Sequence, residues 1–82
     1  MAHKYAYTIL EYYPEEGVNG QLHALYTFID DESAAVRYAD EWAHTIAGIN
    51  GRVDICDKNG YMAIRPDGMI TYIYVISSMI HG

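Results

Sequence analysis

The chain begins with two largely apolar runs separated by a short polar segment, which is the pattern of two β-strands joined by a turn. The run His3–Tyr13 is rich in Tyr, Thr and Ile, residue types that are common in strands. A second run, Gln21–Ile29, sets Leu25, Thr27 and Ile29 against the residues between them. The segment that separates the two runs, PEEGVNG, is polar and carries Pro and Gly. The two runs are therefore predicted to form a long hairpin.

From residue 31 to about residue 48 the apolar spacing changes to every third or fourth position, which predicts a helix. Carboxylate and hydroxyl groups at the start of this segment can accept hydrogen bonds from the free N–H groups of a first helical turn. The predicted apolar stripe consists of Ala35, Ala39, Trp42, Ile46 and Ile49, widened by Tyr38 and Ala43. Gly48 or the pair Asn50-Gly51 is expected to end the helix.

Two dipeptides typical of tight turns, Asn59-Gly60 and Asp67-Gly68, divide the rest of the chain. They leave three strand candidates, Arg52–Asp57, Tyr61–Arg65 and Met69–Ser77. The element order is then β-β-α-β-β-β. We expect a single α+β domain over residues 1–82, with one helix packed on one face of a five-stranded antiparallel sheet.

One helix can cover only one face of such a sheet, so the other face needs an explanation. Neighbouring side chains in a strand point to opposite faces, yet neither set of alternate positions in the first and last strands is polar. An antiparallel sheet with a solvated face should alternate apolar with polar residues. We therefore expect a Tyr-rich contact surface that faces another protein or a second copy of the chain, carried by Tyr5, Tyr7, Tyr72 and Tyr74. The alternative is that these four residues are ordinary half-buried sheet residues.

Charge and composition narrow the possible functions. The net charge of the 82-residue chain is −6, which argues against binding to a phosphate backbone. Nine of its eleven aromatic residues are Tyr, a residue type enriched at protein interfaces. Cys56 is the single cysteine, so no intrachain disulfide can form and a reducing compartment is favoured. Without an apolar stretch long enough to span a membrane, the chain is expected to be cytoplasmic.

No catalytic or metal-binding motif is found. The four histidines are scattered and form no ligand pair. The segment DKNGY is similar to the middle of a calcium-binding loop, but aligning Gly60 with its invariant glycine puts Ile55 and Pro66 where carboxylates are required. Cys56 lies between Asp54 and Asp57, whose negative charge would disfavour a thiolate. We expect no enzyme activity, no cofactor and no metal.

Acidic residues are concentrated at the start and on the polar side of the predicted helix. Adjacent carboxylates are usually solvated surface charge. They could also form an acidic patch that attracts a basic, nucleic-acid-binding partner and excludes wrong partners. The residues assigned to this patch are Asp31, Glu32, Asp40 and Glu41, which Glu15 and Glu16 of the preceding polar segment would extend. Spacing alone does not decide between the two interpretations.

The overall layout resembles the small phage-encoded inhibitors of bacterial defence, above all anti-CRISPR proteins. The resemblance rests on short length, an acidic balance and a single helix, from Asp31 to about Gly48, against a small antiparallel sheet. It implies a non-enzymatic inhibitor that docks on a basic surface of a nucleoprotein defence complex and blocks nucleic-acid access. The alternative hypothesis is a homo-oligomeric structural or accessory subunit, for example a homodimer, whose Tyr-rich sheet faces pair.

Overall fold

The computed structural model describes residues 4–14, 22–57 and 60–80, and these form one helix and a five-stranded antiparallel sheet. The elements are β1 (Lys4–Tyr12), β2 (Leu22–Ile29), α1 (Glu32–Ala47), β3 (Arg52–Asp57), β4 (Gly60–Ile64) and β5 (Ile70–Ile80). This order confirms the predicted α+β fold class and the sequence β-β-α-β-β-β. Residues 15–21, on which most of the predicted loop falls, and residues 58 and 59, which include Asn59 of the predicted Asn59-Gly60 turn, lie outside the described residues.

The strand order in the sheet is β2-β1-β5-β4-β3, so the first and last strands pair at the centre. β1 and β5 pair without a register shift from Lys4 opposite Ile80 to Tyr12 opposite Tyr72. β4 is shorter, and its pairing with β5 stops at Gly60 opposite Tyr74. The part of β5 after Tyr74 therefore extends past β4.

The ends of α1 follow the predicted capping chemistry. The side chain of Asp31 accepts a hydrogen bond from the backbone N–H of Ala34 at 3.1 Å, as an N-cap residue does. Gly48 ends the helix with a φ of 78°, a backbone conformation that glycine adopts readily, and its N–H donates to the carbonyl of His44 at 3.0 Å. Ile49, predicted as the last residue of the apolar stripe, is outside the helix and fully exposed. That prediction is wrong because the chain reverses at Gly48.

The helix contacts the sheet through alanines. Ala35, Ala39, Ala43 and Ala47 are buried and recur at every fourth position. Because their side chains are single methyl groups, the helix backbone comes close to the sheet. The predicted larger stripe residues, Trp42 and Ile46, are half-buried beside this line of alanines. The sheet residues of the core are Ile9, Ala63, Ile73 and Val75.

A β-bulge in β2 changes the predicted alternation. The pairing of β1 with β2 shifts between Ile9 and Leu10, which leaves Leu25 as the extra residue on β2. Leu25 packs against the core beneath the helix, whereas Thr27 pairs with Thr8 on the opposite face. The prediction that Leu25 shares a face with Thr27 and Ile29 is therefore wrong.

The turn between β4 and β5 forms at Asp67-Gly68, as predicted. The N–H of Arg65 donates to the carbonyl of Met69 at 2.9 Å, and the N–H of Met69 donates to the Asp67 carboxylate at 3.0 Å. Gly68 has a φ of 90°, which favours glycine. The turn joins β4 and β5 directly and so defines their register.

Candidate protein-binding surface

The face of the sheet opposite α1, here called the open face, is apolar over its centre. Core residues Ile9 and Ile73 point towards the helix, so the alternate residues of each strand point away from it. The register brings these alternate residues together across β1, β5 and β4, since Tyr72 lies opposite both Tyr12 and Met62. The open face consists of Leu10, Tyr12, Met62, Ile64, Ile70, Tyr72, Tyr74 and Ile76, with Leu22 and Ile29 on the β2 edge.

Aromatic rings form the middle of the open face. The ring centroids of Tyr72 and Tyr74 are 6.0 Å apart with an interplanar angle of 13°, and those of Tyr12 and Tyr72 are 6.3 Å apart. The rings shield one another, so each is half-buried. Ile76 remains 50% exposed at one end of β5. Among the described residues, no helix or strand packs over these side chains.

Charged side chains lie at the margins of the open face. Arg52 and Asp54 are next to each other on the β3 edge, where their side chains form an ion pair at 3.2 Å. Lys4 lies at the far end of β1 and is exposed. The centre of the open face therefore carries no formal charge, and burying it would require no desolvation of an ionised group.

The four predicted interface tyrosines fall on two faces. Tyr72 and Tyr74 are on the open face. Tyr5 and Tyr7 alternate in phase with Ile9 and therefore lie on the side of the helix, where Tyr7 packs against the core. The Tyr5 and Tyr7 rings are 6.4 Å apart. The structure thus brings together only two of the four, and adds Tyr12 to them.

Two tyrosines beside the helix have altered acidity. Partial burial, followed by the negative charge of Glu32, raises the pKa of Tyr7 above its ordinary value, and Tyr5 and Asp30 add smaller contributions. Burial, followed by the charge of Asp40, raises the pKa of Tyr61. Both effects favour the neutral phenol, which can donate as well as accept a hydrogen bond.

The four acidic residues predicted as a patch are spread over the helix. Asp31 is engaged as the N-cap. The charge of Glu32 raises the pKa of Tyr7 on β1. The charge of Asp40 raises the pKa of Tyr61 on β4, which lies on the other side of β5. Asp40 is also 3.6 Å from the ring of His44, and Glu41 is exposed on the outer side of the helix. The carboxylates therefore surround the helix and do not form one compact cluster.

One buried polar contact was not predicted from the sequence. The indole N–H of Trp42 donates to the carboxyl of Glu11 at 2.6 Å, and Glu11 is only 7% exposed. The sequence contained an indication of this contact. At alternate positions of β1, Tyr5, Tyr7 and Ile9 are followed by the charged residue Glu11, which therefore shares their face of the strand. Thr71, on the same side of the sheet, is buried and its hydroxyl has no hydrogen-bond partner among the described residues. These groups lie on the core side of the sheet and do not reach the open face.

The surface of the described residues includes one depression of about 300 Å³ and another of about 180 Å³. The larger is lined by Asn50, Gly51, Arg52, Ile64, Arg65 and Pro66, and the smaller by Tyr38, Glu41, Trp42 and Thr45. In the smaller depression the hydroxyl of Thr45 donates to the backbone carbonyl of Glu41 at 2.9 Å. Across residues 4–14, 22–57 and 60–80 no group of three His, Cys, Asp or Glu side chains is arranged to hold a metal ion. In the same ranges, no helix has the length and apolar character needed to cross a bilayer.

Comparison with known proteins gives no relative. No protein-family model, no curated protein and no solved structure matches the chain. The function must therefore be argued from the geometry of the open face and its surroundings.

Proposed function

We propose that this chain is a non-enzymatic protein-binding domain that contacts its partner through the open face. The observation that carries the proposal is an uncharged group of large apolar side chains on β1, β5 and β4, with nothing from the described residues packed over them. Contiguous exposed apolar surface on a small protein marks an interaction site. Tyr and Met, both present here, are enriched where protein interfaces are buried.

The arrangement of charge favours a basic protein partner, which the acidic residues would attract before contact is made. The acidic side chains lie around the helix and leave the open face neutral, while the net charge of the chain is −6. Such a charge distribution attracts a basic partner over about one Debye length, and the apolar face then supplies the buried area. We favour a role as an inhibitor. The chain would cover the basic nucleic-acid-binding surface of its partner, as phage anti-CRISPR proteins do.

An intracellular setting fits the chemistry of Cys56. Its thiol is free and exposed on the β3 edge strand. Exposed free thiols persist in reducing compartments. We therefore place the interaction in the cytoplasm.

The test compares two Ile→Lys substitutions of equal chemistry. Ile76→Lys places a charge on the open face, where Ile76 is 50% exposed, and Ile55→Lys places one on the helix side of β3, where Ile55 is 74% exposed. Each tagged variant is incubated with an extract of the cell in which the gene occurs, and the captured proteins are quantified by mass spectrometry. We expect at least one protein to be captured by the original chain and by Ile55→Lys, and to be depleted at least tenfold with Ile76→Lys, because burying an unpaired ammonium group opposes binding.

Equal capture by all three proteins would contradict the proposal. So would loss of the same protein with both variants, since that result would report a general effect of added positive charge. Circular dichroism and the thermal midpoint of each variant establish that the two substitutions leave the fold intact.

A further inference from the structure

The two edges of the sheet differ in how well they are protected against pairing. β3, at one edge, is six residues long, carries Arg52 and Asp54, and is interrupted by a register shift, as β2 is at Leu25. Charges, bulges and short length are the features that keep an edge strand from pairing with another chain. β2, at the other edge, is eight residues long and contains no Lys, Arg, Asp, Glu or Pro. The β2 edge therefore lacks the charged residues that protect β3.

The backbone groups of β2 that face away from the sheet can be identified. The N–H of Asp30 donates to the carbonyl of Tyr5 at 2.8 Å, and the N–H of Tyr5 donates to the side-chain carboxylate of Asp30 at 2.8 Å, so Asp30 and Tyr5 occupy a hydrogen-bonding position of the strand pair. In an antiparallel ladder such pairs alternate with pairs that do not bond each other. Following the register back along β2, Phe28 bonds Tyr7, whereas the N–H and C=O groups of Ile29 and Thr27 point outward. No strand of the described residues lies beside these groups, because β2 is at the end of the strand order.

The side chains of this edge are exposed and apolar. Tyr26 is 56% exposed and Ile29 is 51% exposed, and Leu22 is 59% exposed at the other end of the strand. The bulge at Leu25 bends the strand, so the regular part available for pairing is Tyr26–Ile29. It combines open hydrogen-bonding groups with apolar side chains on both faces.

We propose that β2 is a self-association edge, at which the Tyr26–Ile29 segments of two copies pair antiparallel about a two-fold axis. We commit to a second copy as the occupant because β2 carries no Lys, Arg, Asp or Glu, so two β2 strands can pair with each other about a two-fold axis. A pairing of two β3 strands centred on Asp54 would place the two Asp54 carboxylates opposite each other. The net charge of −6 on each copy opposes association, and dimerisation should therefore strengthen as salt is added. β2 is the edge that can meet itself without placing like charges opposite each other. The product is one continuous ten-stranded sheet.

The symmetry has a consequence for the open face. A two-fold axis perpendicular to the sheet keeps both helices on one side and joins the two open faces on the other. The surface proposed above to bind a partner would then double in extent. Because the regular edge is only four residues long, the buried area lies below the range of stable dimers, and we expect weak, micromolar self-association.

Hydrogen exchange on the unmodified chain tests the pairing directly. We expect the amides of Thr27 and Ile29 to exchange rapidly at low micromolar concentration and to become at least tenfold more protected near millimolar concentration. The amide of Ile55 points outward from the β3 edge by the same alternation and serves as the internal control, with rapid exchange throughout. Sedimentation over the same range should show a monomer–dimer equilibrium. Unchanged exchange at Thr27 and Ile29, or a monomer at every concentration, would overturn the proposal.

Proline substitutions at the two edges give a second, matched test. Ile29→Pro removes one outward N–H from β2, and Ile55→Pro removes one from β3; edge strands tolerate proline at such positions. We expect Ile29→Pro to weaken dimerisation about tenfold, because the symmetry removes two hydrogen bonds, and Ile55→Pro to leave it unchanged. Thermal midpoints verify folding.

The open-face variant Ile76→Lys separates this proposal from the preceding one. It should dimerise like the original chain even if it loses the partner protein. If Ile76→Lys abolished self-association and Ile29→Pro did not, the copies would meet through the open face and the edge proposal would be wrong.

Discussion

The hydrogen bond between Trp42 and Glu11 joins the middle of the helix to the centre of the sheet. The donor atom is 2.6 Å from the carboxyl oxygen. Glu11 is only 7% exposed and lies opposite the fully buried Ile73. A buried polar group costs free energy when its partner is removed, and hydrogen bonds to charged groups are stronger than neutral ones. This one contact therefore decides whether a carboxyl group is tolerated in the core.

We expect Trp42→Phe to lower the free energy of unfolding by about 2–4 kcal/mol, through a lost hydrogen bond and a reduced apolar contact. Replacing both partners removes the unsatisfied carboxyl, so Glu11→Leu combined with Trp42→Phe should be more stable than Trp42→Phe alone. Urea denaturation of the two single variants and the double variant measures the coupling. Strictly additive effects would show that the hydrogen bond contributes nothing specific.

Tyr7 provides a second prediction at the scale of single residues, here in its acidity. Burial raises its pKa first and the charge of Glu32 adds to that effect, so Glu32→Gln should lower the pKa of Tyr7 towards its ordinary value. A pKa raised in the folded state stabilises the fold fully below the ordinary pKa of tyrosine, and that contribution is lost as the pH rises through the folded value. Stability should therefore decline in alkaline solution, with a smaller decline in Tyr7→Phe.

Carbon-13 NMR titration of the tyrosine ring signals measures the pKa of Tyr7 in each variant. Glu41→Gln is the matched control, because it removes the same charge from the outer side of the helix. A pKa of Tyr7 that is equal in Glu32→Gln and in the original chain would exclude an electrostatic contribution from Glu32.

At the scale of elements, the helix differs from the strands because all of its buried residues are alanines. Ala35, Ala39, Ala43 and Ala47 form its contact line with the sheet. Tight packing at such small residues leaves no space for a larger side chain. The four alanines therefore determine the separation of the two layers.

Ala39→Leu should lower the free energy of unfolding by about 1–3 kcal/mol, because the added atoms force the helix away from the sheet. Arg37→Leu introduces the same side chain on an exposed position of the same helix and should change stability by no more than about 0.5 kcal/mol. Thermal and urea denaturation compare the two variants. A neutral Ala39→Leu would mean that the helix is loosely seated.

Features that depend on neighbouring residues in the sequence were predicted correctly. Features that depend on contacts between distant parts of the chain were not. The turn at Asp67-Gly68, the cap at Asp31 and the helix end at Gly48 each depend on chemistry within a few residues. The bulge at Leu25 depends on how β2 meets β1, which is not visible in the alternation of one strand. Similarly, the apolar spacing predicted that the stripe continues to Ile49, because spacing alone does not show that the backbone leaves the helix at Gly48.

At the scale of the whole molecule, sequence reasoning predicted the presence of an apolar sheet face but not all of its residues. One helix can cover only one sheet face, and among the described residues no helix or strand packs over the face that carries Tyr72 and Tyr74. Tyr5 and Tyr7 were grouped with them although they lie on the other side. Which face of β1 matches which face of β5 depends on the inter-strand register, and the register follows from the way both strands pack against the helix.

The line of alanines beneath the helix has a final consequence for the shape and durability of the fold. The molecule measures 49 × 28 × 18 Å, and its short dimension is the thickness of two closely stacked layers. In so thin a body most of the described side chains reach solvent, and the fully buried residues lie along β1, β5, β4 and the inner surface of the helix. Resistance to opening is concentrated in these buried residues, while the edge strands β2 and β3 can fray without disturbing them.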